Sequence, residues 1–143
     1  MSDRFDLQRF VDAQAGVHEA ALAELKAGKK RTHWMWFVFP QVAGLGFSAM
    51  AQRYAISGLE EGRAYVAHAV LGPRLLACVR AVNAVEGRTA HDIFGSPDDL
   101  KFRSSMTLFA QAAPEEPAFR EALAKYYGGV PDAATLGILA QPS

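Results

Sequence analysis

The sequence predicts a mainly α-helical fold: a compact single-domain bundle of about six to eight helices over residues 1–143, with one short extended segment near 34–39. Three observations carry that expectation. Apolar residues recur at helical spacing through most of the chain, capping residues and glycines stand where those runs begin and end, and strand-like alternation is confined to 34–39. A chain of 143 residues, half of them hydrophobic, can bury a core without disulfides or a structural metal.

In chain order, Leu7, Phe10, Val11, Val17, Ala21, Leu22 and Leu25 fall on one face, which predicts a helix over about 6–27 that Gly28 stops. Gln14 and His18 project into the same apolar stripe, where a polar group needs a hydrogen-bond partner. Pro40, Gly44 and Gly46 mark a loop, and Ser48 caps a short helix through Met50 and Tyr54. Another helix is expected near 59–67. Leu71, Leu75, Cys78, Val79 and Val82 share a face, with Pro73 tolerated in the first turn and Gly87 closing the helix. Thr89 caps a brief helix through Phe94 that Gly95 ends. Ser96-Pro97-Asp98-Asp99 predicts a strong helix start, with Ser96 as cap and two carboxylates where the helix dipole favours them. That helix runs to Pro114 with Phe102, Ser105, Met106 and Phe109 on its apolar stripe. Residues 115–127 and a last short helix capped by Asp132 complete the chain.

Fifteen basic and fifteen acidic residues give a formal net charge of zero. That balance argues against nucleic-acid coating and confines any anion site to a local cluster. The lone Cys78 cannot form an internal disulfide, the first residues lack the apolar core of a secretory signal, and the longest apolar run is too short for a membrane helix. A cytoplasmic protein with no membrane partner is therefore expected. The four histidines match no familiar metal-ligand spacing, so neither metal nor cofactor is expected, and no phosphate loop or nucleophile elbow is present.

The densest chemical signal is Lys29-Lys30-Arg31-Thr32-His33-Trp34-Met35-Trp36-Phe37-Val38-Phe39-Pro40. Positive charge beside large aromatic area builds either a wedge that closes a core or the wall of a site for an anionic, aromatic ligand. Trp34 and Trp36 share a side if the segment is extended and diverge by about 160° if it is helical. Lys101 and Ser105 flank the apolar stripe of the capped helix, where an ammonium needs a carboxylate, a carbonyl or a ligand anion. Asp98 and Asp99 are within i, i+3 and i, i+4 reach of Lys101 and Arg103.

Several of these motifs resemble a bacterial family, the domain of unknown function 1810, whose members are sometimes labelled calpastatin without chemical justification. The resemblance spans most of the chain. It rests on residues 5–11 with Ala13-Gln14, on His33-Trp34-Met35-Trp36-Phe37-Val38-Phe39-Pro40-Gln41, on Arg53-Tyr54, on Leu71-Gly72-Pro73-Arg74-Leu75, and on residues 99–109. It implies a compact helical fold and no established activity. Two positions depart from the family pattern: His18 stands where relatives tend to carry an aromatic phenol, and His68 is followed by alanine instead of proline.

The leading functional expectation is a domain that binds a small anionic or nucleotide-like ligand, with Trp34, Trp36 and Tyr54 as walls. Arg53, Lys101 and Arg103 would receive the anion, while Gln14 and His33 orient it and Ser105 completes the set of ligand-binding candidates. One alternative is a hydrolase acting on an N-glycosidic, ADP-ribose-like bond, with His33 and Asp99 as catalytic candidates. The other is a protein–protein interaction module presenting the basic-aromatic block.

Overall fold

The computed structural model describes residues 4–141. These form ten helices: α1 (Gln8–Gln14), α2 (His18–Lys26), α3 (Met35–Val38), α4 (Ala49–Arg53), α5 (Leu59–Ala67), α6 (Leu71–Ala84), α7 (Ala90–Phe94), α8 (Asp98–Ala112), α9 (Pro117–Tyr127) and α10 (Ala133–Leu139). Among the described residues there is no strand, only an isolated parallel bridge between Val42 and Ile56.

Helix α8 is the axis of the molecule. It is buried on nearly every side and packs against α5, α7, α9 and α10, while α6 packs against α2, α5 and α9. Two of its phenylalanines act as hubs. Phe102 stacks on Phe94 at 4.6 Å and meets Phe39 edge-on at 4.9 Å; Phe109 contacts Tyr65 and Phe119 at 5.3 and 5.5 Å. Such offset and edge contacts match the negative ring faces with positive edges, adding to the area buried.

Three expected caps form: Ser48 accepts from the Ala51 amide, Thr89 makes a reciprocal capping box with Asp92, and Asp132 accepts from the Thr135 amide. Three local expectations need correction. The single helix over 6–27 is two, because Gly16 adopts a positive φ of 74° and the Val17 amide turns back to the Gln14 carbonyl. The segment 34–39 is not extended but a helical turn, α3, whose flanking bonds run from Val38 to Trp34 and from Phe39 to Met35. Five of those six side chains are buried, and one helical turn sends them into different parts of the core where an extended strand would leave one side exposed. At α8, Pro97 rather than Ser96 occupies the cap position; in the first turn the Asp99 amide donates to the Gly95 carbonyl and the Asp99 carboxylate accepts from the Leu100 amide.

Helices α5 and α6 meet at 90°. The turn requires glycine: a Cβ on Gly72 would lie 2.1 Å from the Val66 carbonyl oxygen. His68 supplies the cap there, its Nδ1 accepting from the Val70 and Leu71 amides. Among the described residues no single helix is long and apolar enough to cross a membrane, although the bent α5–α6 pair reaches that length and composition together.

Candidate functional site

The two tryptophans occupy different environments. Trp34 is fully buried at 0% exposure and meets Phe39 at 6.0 Å. Its indole N–H donates to Glu24 at 3.0 Å, and the same carboxylate accepts from the Arg31 and Thr32 amides and the Thr32 hydroxyl. Partial burial opposes ionisation of Glu24, but the Thr32, Arg31 and Trp34 donors outweigh it and bring the carboxyl down to about 2. Lys30 lies over the Trp34 ring at 5.1 Å, its side chain 8% exposed, and pairs with Asp98 at 3.0 Å.

Trp36 is only half-buried and lines an open cleft of about 180 Å³. The other walls come from the loop 41–46, including Gln41 and Gly44, and from Gln52 and Tyr54 at the end of α4. Parallel pairing of Val42 with Ile56 holds the loop: the Ala43 amide donates to the Ile56 carbonyl, and the Ile56 amide to the Gln41 carbonyl. Gly46 lets α4 close in, since a Cβ there would lie 2.6 Å from that of Ala51. The lining is neutral, but a cation stands against each aromatic wall. Lys101 Nζ is 5.7 Å from the Trp36 ring centre, and the Arg53 guanidinium 5.6 Å from that of Tyr54. Lys101 also reaches Asp98 at 3.6 Å, so Asp98 is shared between the lysine on the buried indole and the lysine on the open one.

Gln14 is buried away from this cleft. Its amide donates to the Phe37 carbonyl at 2.7 Å and to the Tyr65 hydroxyl at 3.0 Å, while Arg74 donates to its oxygen at 3.3 Å. Beside it, His18 Nδ1 is 4.0 Å from the Cys78 sulfur. Burial, then Arg74, lowers the His18 pKa against an opposing effect of Glu19. Burial pushes the Cys78 thiol up to about 12, which leaves it a poor nucleophile. Arg103 turns to the far end of α9, donating to the Val130 carbonyl at 3.0 Å and lying over Tyr127. Ser105 is fully buried, and its hydroxyl has no partner among the described residues. His33 is exposed, and Asp99 faces His91, with His91 Nδ1 at 3.5 Å; no hydrogen bond or ion pair joins His33 to Asp99. Among the described residues no group of three His, Cys, Asp or Glu side chains is placed to hold a metal.

Of the nine expected ligand residues, Trp36 and Tyr54 therefore line the cleft, with Lys101 and Arg53 against their rings, while Trp34, Gln14 and Ser105 belong to the interior. Gln41 and Gln52 also line it. Gln41 directly follows the aromatic block and Pro40, a position that signals the block's exit from the core, but nothing local says that its amide faces a cleft. A second buried polar cluster has no local signal: Arg9 donates to the Ala55 and Arg53 carbonyls and pairs with Glu61 at 2.8 Å across 52 residues.

A family model described as "Protein of unknown function (DUF1810)" matches residues 4–139. The chain is also similar to a crystal structure of the conserved hypothetical protein Rv1873 from Mycobacterium tuberculosis, at 57% identity and a TM-score of 0.96, covering 98% of this chain and 100% of that one. No curated protein matches it.

Proposed function

The chain belongs to this family of proteins of unknown function, and from its own side chains we propose that it binds a small ligand combining a planar ring with an anionic group, as nucleotides do. The observation that carries this reading is the open cleft between Trp36 and Tyr54, neutral within and bordered at both rings by a cation, Lys101 and Arg53. A cleft of about 180 Å³ is smaller than the roughly 300–1,000 Å³ that encloses a drug-sized ligand. It takes the ring and leaves the charged part at the rim. Tyr54 has no hydrogen bond from its hydroxyl among the described residues, and Gln41 none from its amide, so both are available to a ring edge bearing donors and acceptors. Phe47, 82% exposed on the adjoining loop, offers a further ring. A cytoplasmic location belongs to the same reading and rests on the unpaired Cys78.

Titrating the protein with nucleosides, nucleoside monophosphates and inorganic phosphate tests this. The monophosphates should change tryptophan emission and raise the melting temperature, and the emission change should vanish in Trp36→Phe. Unchanged emission and melting temperature with every nucleotide tested would overturn the reading.

A further inference from the structure

The basic run at residues 29–31 takes no part in the Trp36 cleft: Lys30 turns inward to Asp98 and the buried Trp34, and Lys29 remains outside. Lys29 lies on a second cleft, of about 310 Å³, whose walls include Arg88, His91, Asp92 and Gly95. From this arrangement we propose that the α7 cleft is a binding site for a phosphoryl dianion, held by Lys29 and Arg88 with His91 beside them.

Both cations are anchored from behind. The Lys30 amide donates to the Ile93 carbonyl at 2.7 Å and ties the 28–31 segment to α7. The Arg88 side chain crosses Gly28, with its Cδ and Nε 3.1 Å from the place a Cβ would occupy, so its guanidinium runs beside Lys29 because residue 28 has no side chain. The Lys29 amide donates to the Glu24 carbonyl at 3.0 Å, while neither the Lys29 nor the Arg88 side chain makes a hydrogen bond or ion pair among the described residues. Of the nearby carboxylates, Asp92 lines the cleft and accepts from the Thr89 amide in the α7 capping box, with Arg88 and His91 close enough to favour its charged form; Asp98 is held by Lys30 and Lys101; Asp99 accepts from the Leu100 amide and faces His91 Nδ1. A fork of N–H donors beside an ammonium matches a tetrahedral dianion, which would compete with the single charge of Asp92 for Arg88. This site is independent of the Trp36 cleft and of any ring-bearing ligand.

Amide NMR spectra recorded during titration with inorganic phosphate and with ribose 5-phosphate, against chloride at matched ionic strength, test the proposal. Saturable shifts confined to residues 28–31 and 88–95 are expected with either probe, and the tighter one tells a free ion from a phosphomonoester. Lys29→Ala/Arg88→Ala should weaken binding at least ~10-fold, whereas Arg53→Ala/Lys101→Ala should leave it unchanged. No shifts, equal shifts in chloride, or shifts only at residues 41–46 and 51–55 would overturn it. The last result would still leave the Trp36 cleft as a ligand site, just as unresponsive tryptophan emission would leave the α7 site standing.

Discussion

Trp34 and Trp36 stand two residues apart, each beneath a lysine, and the two lysines share Asp98. Around Trp34 every polar group is engaged: the indole N–H by Glu24, Glu24 by four donors, and Lys30 by Asp98. Around Trp36 the ring borders solvent, and the Gln41 amide and Tyr54 hydroxyl have no partners among the described residues. Residue type and neighbouring charge are alike in the two places. Core and candidate site differ in whether the polar groups beside the ring are already satisfied from within the protein.

The largest expected contrast is in stability. Trp34→Ala should cost about 3–5 kcal/mol by urea denaturation, combining lost burial with the loss of one of the four donors that hold Glu24. Trp36→Ala should cost about 1 kcal/mol, because its ring is only partly buried. Equal losses would erase the distinction between the two indoles. The lysines should follow suit, with Lys30→Ala destabilising by about 2 kcal/mol and Lys101→Ala by no more than about 0.5 kcal/mol. A larger loss from Lys101→Ala would move Lys101 into the structural group.

Acid should narrow the contrast. Because the Glu24 carboxyl is held below its ordinary value in the folded protein, its contribution is complete above that value and is lost as pH falls toward about 2. The melting-temperature gap between the wild type and Glu24→Gln should shrink over that interval. A constant gap would mean that the Thr32, Arg31 and Trp34 donors do not stabilise the charged form. The smallest effect is optical: acrylamide should quench Trp36 and spare Trp34, so Trp36→Phe should leave emission that resists the quencher.

Much of the fold could be read along the chain because local chemistry decides it. Ser48, Thr89 and Asp132 are caps wherever the following residues turn helical, and the apolar spacing of α6 allows few alternatives. The aromatic block could not be settled that way, because a short continuous apolar run has no period that separates strand from helix; packing against Phe94 and Phe102, more than fifty residues on, selects the helical turn. The expected ligand residues come together only in part. Lys101 meets the aromatic block through Trp36, and Gln14 meets it only through the buried Phe37 carbonyl. Arg103 also defied its local pairing with Asp99, because the Val130 carbonyl and the Tyr127 ring satisfy its guanidinium more fully than an exposed ion pair would. Such partners lie too far along the chain for spacing rules to find.

The shared position of Asp98 sets how the Trp36 cleft would respond to an anion. Anything negative that engages Lys101 meets an internal competitor already in contact with it, so the affinity observed is that of an exchange rather than a simple encounter. The exchange strands no charge. When Lys101 swings to the newcomer, Asp98 keeps Lys30 at 3.0 Å, and the interior stays electrically balanced in both the empty and the filled condition.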